Sequence, residues 1–132
     1  MKLKQFAGAI ALSCALVSAH AAETKMDPAL RTAATRSTDR GLHFLREHQA
    51  EDGSYSASVG ITGLVLRGFL ESDGGYNESD GPFITRSVDF LLKNVQPDGA
   101  ISQTPQNRSY NTSLALGALA ATKNEKHRSV LA

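Results

Sequence analysis

Two kinds of hydrophobic pattern alternate along the chain after its first 21 residues. The first kind is amphipathic, because apolar or small residues after Asp27 and Pro28 recur every three or four positions, which is the spacing of one helix face. These positions are Leu30, Ala34, Ser37, Gly41, Leu45 and His48. Asp27 suits the N-cap of a helix and Pro28 its first position, so this stretch predicts an amphipathic helix.

A second amphipathic helix is predicted after Asp80, Gly81 and Pro82, because five apolar residues that follow share one side. These residues are Ile84, Val88, Leu91, Leu92 and Val95. No stretch of the chain needs the period-two alternation of a half-buried strand. The pattern therefore predicts an all-α fold.

The other kind of segment is apolar almost all round. Residues 59–70 contain one charge, Arg67, and residues 112–122 contain none, so we expect two helices that are buried on most sides. Residues 59–66 are also compatible with a strand. The small residues either let neighbouring helices approach closely or merely weaken the helices. They are Gly60, Gly63, Gly68, Gly117 and Ala118.

The order of amphipathic segment, Gln, Asp-Gly, loop and apolar segment occurs twice. Residues 40–55 align without a gap with residues 86–101, at an offset of 46. The identical pairs are Arg40/Arg86, Phe44/Phe90, Leu45/Leu91, Asp52/Asp98 and Gly53/Gly99. Gln49 and Gln96 differ by one place in register. Farther along, residues 62–66 match residues 112–116 at an offset of 50, which indicates two copies of one helical unit.

The repeat predicts the domain organisation. We expect two helical hairpins, at about residues 35–70 and 82–122, and the start of a third at Asn124. Residues 71–81 are predicted to be the loop between the hairpins. Because a stack of repeats usually needs about three units to bury a continuous core, further repeats after Ala132 are also expected.

Residues 1–21 have the three parts of a secretory signal peptide. Lys2 and Lys4 form a basic region, residues 6–17 are apolar, and residues 19–21 have the small-x-small form of a cleavage site. The apolar run is short of the ~20 residues that span a bilayer, which weighs against a membrane anchor. The residues before Cys14 weigh against a lipoprotein site. We therefore expect an exported protein, periplasmic or secreted, that is cleaved near Ala21.

Composition limits the partners and the chemistry. The formal net charge is +1 and the basic residues are scattered, so no nucleic-acid partner is expected. The single cysteine, Cys14, would leave with the signal peptide. The mature chain would then have no disulfide, no thiolate ligand for zinc and no cysteine nucleophile.

Seven residues of the first copy stand at a diagnostic spacing: Arg40, Gly41, Phe44, Leu45, Gln49, Gly53 and Tyr55. This spacing resembles the QW repeat of squalene-hopene and oxidosqualene cyclases, a repeat class that also occurs in protein prenyltransferase beta subunits. The resemblance covers residues 35–122. The chain departs from the family pattern where the family has Trp, because Tyr55 and Ile101 stand at those places.

The resemblance implies part of an (α/α)6 toroid, with residues 59–70 and 112–122 as inner helices and the amphipathic helices outside. It also implies that the Gln and the aromatic residue tie each outer helix to the next hairpin. An amide can bond the free donors of a helix start, and glycine can take the positive φ of an Asp-Gly turn. The residues with this structural role are Arg40, Phe44, Gln49, Asp52, Gly53, Tyr55, Arg86, Phe90, Gln96, Asp98 and Gly99.

The sequence offers no catalytic residues and no metal or cofactor site. The Asp-x-Asp-Asp acid motif of hopene-type cyclases is absent. His43 and His48 are five residues apart and do not share a helix face as a metal-binding pair would. Four carboxylates in the loop are expected to form a solvated turn, with an acid pair or a calcium site as alternatives. They are Glu71, Asp73, Glu78 and Asp80.

Two functions of different classes remain open. In the first, an exported repeat protein of the cyclase and prenyltransferase type is completed by other repeats, and its cavity takes an isoprenoid or another apolar ligand. In the second, a non-catalytic scaffold binds a protein or a glycan at the cell envelope. The resemblance favours the first function and export favours the second, while these 132 residues alone are expected to be inert.

Overall fold

The computed structural model describes residues 26–131, and these form helices and turns without a β-strand. The α-helices are α1 (Pro28–Glu47), α2 (Val59–Leu70), α3 (Pro82–Lys93), α4 (Arg108–Ala121) and the single turn α5 (Arg128–Leu131). Two 3-10 turns, Glu78–Asp80 and Glu125–His127, precede α3 and α5. The predicted all-α class is confirmed for this part of the chain. The predicted signal peptide and Cys14 lie outside it.

The helix boundaries follow the local sequence. The Asp27 carboxylate caps α1 by accepting from the amides of Ala29 and Leu30, at 2.8 and 3.1 Å. Helix α2 has the predicted bounds, and its helical backbone rules out the strand alternative for residues 59–66. Helix α4 begins four residues before the predicted Thr112, because its first turn is polar and carries no hydrophobic pattern. Of the helices within residues 26–131, none has the length and apolarity to cross a membrane.

The two apolar helices, α2 and α4, pack side by side and run parallel. Gly60 faces Asn111, and Gly63 faces Leu114 one turn farther along both helices. A Cβ atom at Gly63 would lie 3.0 Å from the Leu114 carbonyl, so the absent side chain permits the close approach. Gly68 has no such neighbour within 4 Å, which limits this role to the first half of α2.

The core lies between α2, α3 and α4. Helix α3 buries Ile84, Val88 and Leu91 and partly buries Leu92, as its amphipathic pattern predicts. Val95, which the pattern placed on the same helix, is half-buried in the turn just after α3 ends. The other fully buried apolar side chains come from α2, α4 and the turns, and they include Val59, Leu66, Phe69, Ile101, Ala115, Ala118 and Leu119.

Burial is less complete than the hydrophobic pattern alone indicates on two helices. On α2 six of the twelve residues are buried and two are half-buried, but Ile61 and Leu64 remain 44% and 48% exposed. On α1 the predicted stripe is largely solvent-exposed: Leu30 is 59% exposed, Leu45 is half-buried, and Leu42 is the one buried residue. The exposure on both helices has the same physical reason. Hydrophobic periodicity identifies the apolar face of a helix but does not say whether a neighbouring element covers that face.

Candidate functional site

The first Asp-Gly turn, residues 49–55, reverses the chain between α1 and α2. The Ala50 amide donates to the Ser54 carbonyl at 3.0 Å, and the Gly53 amide donates to the Ala50 carbonyl at 2.9 Å. The Asp52 carboxylate accepts from the Ser54 amide at 3.0 Å. Gly53 has a φ of +85°, a conformation that costs L-residues energy and glycine little.

The second Asp-Gly turn, residues 95–101, repeats this geometry at an offset of 46. The Gln96 amide donates to the Ala100 carbonyl at 2.7 Å, and the Gly99 amide donates to the Gln96 carbonyl at 2.9 Å. Asp98 accepts from the Ala100 amide at 3.3 Å, and Gly99 has a φ of +82°. The two aligned stretches therefore adopt the same turn with the same hydrogen bonds.

Each turn is also fastened to the apolar helix that follows it. The Tyr55 amide donates to the Thr62 hydroxyl at 2.9 Å, and the Ile101 amide donates to the Thr112 hydroxyl at 3.0 Å. Tyr55 and Ile101 are both buried, so each occupies an equivalent apolar position although one is aromatic and the other is not.

Gln49 connects the first turn to the start of α3. Its Nε2 lies 2.8 Å from the Phe83 carbonyl, 2.9 Å from the Ser87 hydroxyl and 3.1 Å from the Gly53 carbonyl, and an amide can donate to two of these at a time. Its Oε1 accepts from Arg86 at 2.9 Å. The amide thus reaches the next helix by donating to a carbonyl, whereas the sequence argument expected it to bond free N–H groups.

Gly53 is in direct backbone contact with α3. A Cβ atom at Gly53 would overlap the Arg86 carbonyl and lie 2.7 Å from the Arg86 Cβ. The Ser87 hydroxyl donates to the Gly53 carbonyl at 3.0 Å. Sequence reasoning missed Ser87, because Gly41 stands at the equivalent place in the first copy and no repeated hydroxyl draws attention to it.

The second turn differs in what covers it. Gln96 stays within its own loop, where Nε2 donates to the carbonyls of Asn94 and Ser102 at 3.2 and 3.0 Å. Around Gly99 no atom of the described residues lies within 4 Å of where a Cβ would be. Arg108 forms a salt bridge with Asp98 on the outer side of this turn. The second turn therefore has the same internal structure as the first, but no helix of residues 26–131 packs on it as α3 packs on the first turn.

The remaining motif residues occupy unlike environments. Phe90 is buried in the core, whereas its counterpart Phe44 is 57% exposed and stacks on the His48 ring at 3.9 Å between centroids. Arg86 binds Gln49, but its counterpart Arg40 donates to the Ser37 hydroxyl at 3.1 Å on the same helix. Residues that are identical in the alignment therefore hold equivalent positions along the chain, but they do not always make the same contacts.

Two side chains of the first turn have altered pKa values. Hydrogen bonds from Ser54 lower the pKa of Asp52, which keeps this exposed carboxylate ionised and able to hold the turn. Burial raises the pKa of the Tyr55 phenol to about 12, although the charge of Arg86 acts in the opposite direction. The Tyr55 hydroxyl is buried and has no hydrogen-bond partner among the described residues.

The loop carboxylates do not converge on one site. Glu78 accepts from the buried His127 at 2.9 Å and from the Asn124 side chain at 3.0 Å. Asp80 accepts from the Asn77 amide at 2.6 Å, and Glu71 pairs with Arg67 on α2 at 2.7 Å. Among residues 26–131 no three His, Cys, Asp or Glu side chains are arranged to hold a metal ion.

A groove of about 470 Å³ separates the second half of α1 from the end of α2 and from Tyr76 in the loop. Its aromatic side is formed by Phe69 and Tyr76, whose rings meet edge to face at 5.5 Å. Asp39 and Arg46 bring charges of both signs to the α1 side, and His43 pairs there with Glu47 at 3.3 Å. Because aromatic rings and charges of both signs line this groove, it resembles a polar protein interface more than a binding site for ligands of a single charge sign.

Comparison with known proteins gives no assignment: no protein-family model, curated protein or solved structure matches the chain significantly.

Proposed function

We propose that the chain is an exported helical-repeat protein of the terpenoid cyclase and prenyltransferase type, in which hairpins stack in the manner of an (α/α)6 toroid. The equivalent hydrogen bonds of the two Asp-Gly turns and the parallel packing of α2 and α4 support this proposal. The observation that carries it is the link from Gln49 to Phe83 and Ser87, because it ties one outer helix to the next across 34 to 38 residues.

In this proposal the inner helices form the wall of an apolar cavity. Ile61, Leu64 and Tyr110 are large and exposed, and the ring of Tyr110 lies over Gly60 between α2 and α4. Exposed apolar groups that adjoin one another usually mark a binding surface. An isoprenoid-like or other apolar ligand is the class that such a wall fits.

A second candidate function is a non-catalytic scaffold that binds an envelope protein. The groove beside Tyr76 favours it, because aromatic side chains with charges of both signs around them are typical of protein interfaces. Binding in this groove would involve α1 and the loop, whereas binding at the wall would involve α2 and α4. Variants of the two surfaces therefore separate the two functions.

The association state of purified residues 22–132 tests the stacked-hairpin proposal. Because the wall and the second turn are uncovered, we expect concentration-dependent association in sedimentation velocity, or a broad thermal transition. A monomer that unfolds in one sharp cooperative transition would contradict the proposal.

Binding of an environment-sensitive apolar dye tests the wall. Leu64→Ser is expected to weaken dye binding, whereas Leu30→Ser, which changes a more exposed leucine on α1, is expected to leave it unchanged. Equal effects of the two substitutions would refute the apolar wall.

A further inference from the structure

We propose that the outward side of α1 binds a second copy of the chain, with the two α1 helices antiparallel about a twofold axis that passes beside Phe44. We call this surface the α1 face, and it consists of Arg36, Arg40, Phe44 and Glu47. The inference does not rest on the proposed function, because none of these residues lies on α2, on α4 or in either Asp-Gly turn.

Little of α1 is covered by the rest of the described chain. Of its 20 residues, Leu42 is buried, Thr35 and Leu45 are half-buried, and the others are exposed. At 100° of rotation per residue, Arg40 and Glu47 project about 140–160° away from Leu42, which places them opposite the core. A helix of this length usually needs packing for its stability. The α1 face is therefore open to a partner.

The α1 face has an exposed aromatic ring among charged side chains. A shallow groove of about 420 Å³ runs along it and is lined by Asp39, Arg40, His43, Phe44 and Glu47. Phe44 is 57% exposed, whereas its counterpart Phe90 on α3 is buried. A large exposed apolar group with a polar rim is typical of a protein interface.

The charges of the α1 face are ordered so that the face complements itself. Arg36, Arg40 and Glu47 lie within about 40° of one another around the helix, with the arginines on the N-terminal side of Phe44 and the glutamate on the C-terminal side. A parallel second copy would set like charges side by side, whereas an antiparallel copy sets opposite charges together. It also brings the arginines to the negative end of the neighbouring helix dipole.

One twofold axis satisfies these contacts at the same time. Residues 40 and 47 are equally distant from the point between residues 43 and 44, so an axis there places Arg40 beside Glu47 of the second copy, twice. The same axis brings the two Phe44 rings together at the centre. The charge order and the exposed ring thus select one partner, a second copy in antiparallel orientation.

The charged residues of the α1 face have no strong partner within residues 26–131. Neither Arg36 nor Arg40 forms a salt bridge there, and Arg40 donates to the Ser37 hydroxyl on its own helix. Glu47 pairs with His43 at 3.3 Å, but these side chains are 62% and 71% exposed, and such a pair contributes little. Docking therefore disrupts little of the existing structure.

The dimer is expected to be weak and reversible. The contact involves about three turns of each helix, which is small beside the ~1,200–2,000 Å² that stable interfaces bury. It is also a property of α1 and not of the repeat, because Lys93 stands on α3 where α1 has Glu47.

Charge reversal in the full chain tests the pairing. Sedimentation equilibrium at loading concentrations up to about 1 mM populates weak dimers. Arg40→Glu and Glu47→Arg should each weaken self-association by about tenfold or more, because the twofold axis turns one substitution into two like-charge contacts. Lys93→Glu, which reverses the charge at the equivalent exposed position of α3, should leave self-association unchanged.

An equimolar mixture of the two single variants is the decisive sample. Each variant repels its own copy, but in the mixed dimer the two substituted positions carry opposite charges and face each other. The unchanged Glu47 of one chain and Arg40 of the other form the second pair. Dimerisation should therefore return to about the wild-type level in the mixture, and also in the double variant.

Three results would each overturn the α1 dimer. They are a wild type that stays monomeric up to that concentration, single variants that associate as the wild type does, and a mixture that stays as dissociated as its components. Circular dichroism at 222 nm checks that the variants keep their helix content. Association that charge reversal leaves unchanged but Leu64→Ser removes would belong to the apolar wall and would leave the proposed function standing.

Discussion

Gly53→Ala tests whether the first turn packs on α3, and Gly99→Ala is its internal control. The two glycines have nearly equal φ values, +85° and +82°, and equivalent hydrogen bonds. They differ in surroundings, because a Cβ at Gly53 would overlap the Arg86 carbonyl, whereas a Cβ at Gly99 would lie more than 4 Å from every described residue except its chain neighbours. The pair thus separates backbone strain from close packing.

The expected free energies of unfolding follow from these two terms. Alanine in a left-handed conformation costs about 1–2 kcal/mol, and the loss of a glycine returns about 0.4–1 kcal/mol through the unfolded chain. Both terms apply equally at the two sites. Forcing a methyl group into a packed contact adds about 1–3 kcal/mol at Gly53 alone. Gly53→Ala should therefore be less stable than Gly99→Ala by about 1–3 kcal/mol.

Urea denaturation followed by circular dichroism at 222 nm measures this difference. The unfolding midpoints of the two variants can be compared directly if the free energy of unfolding depends on urea concentration with the same slope in both. Thermal unfolding gives an independent value, because 1 kcal/mol corresponds to roughly 4–8 °C for a domain of this size. Equal destabilisation by the two substitutions would refute the packing of Gly53 on Arg86. A larger effect at Gly99 would reverse the assignment of covered and open turns.

Three further substitutions, two of them with a control variant, test other contacts of the fold. Gln49→Ala should cost about 1–3 kcal/mol and speed amide exchange at the start of α3, because it removes the hydrogen bonds to α3, while Gln96→Ala should act only within its own loop. Tyr55→Phe should be neutral or stabilising at pH 7, since the buried hydroxyl has no partner. Because the folded-state pKa of Tyr55 is raised from 10.0 to about 12, the wild type should lose stability from pH 10 to 12 relative to Tyr55→Phe, and parallel pH profiles would contradict this. Glu78→Ala should release α5 and accelerate its amide exchange at a cost of about 1–3 kcal/mol, because it leaves the buried His127 unpaired. Glu125→Ala, at an exposed pair with Arg128, should change stability by less than about 0.5 kcal/mol.

Features of the fold were predictable from the sequence where a short local stretch of residues determines them. The bounds of α2 follow from a segment that is apolar except for Thr62 and Arg67 and that Ser58 caps. The buried face of α3 follows from its 3.6-residue periodicity. The positive φ at Gly53 and Gly99 follows from the Asp-Gly pair in a tight turn.

Features that depend on distant neighbours were not predictable in this way. The stripe of α1 has the right spacing, yet little of the described chain covers it, so Leu30 remains exposed. The loop carboxylate Glu78 has a structural role through Asn124 and His127, which lie 46 and 49 residues away. In the candidate site, the alignment of the two Asp-Gly turns was predictable from the sequence. Which turn is covered and which is exposed was not, because that depends on where α3 packs.

The most direct test of the account is a set of nuclear Overhauser contacts from the α-protons of the two turn glycines. We expect strong contacts from Gly53 to Arg86 and Ser87, because the turn backbone touches α3. From Gly99 we expect contacts only to residues of its own turn and to α4. Absence of the contacts from Gly53 to α3 would contradict the packing of the first Asp-Gly turn on α3, on which the proposed stacking of hairpins rests.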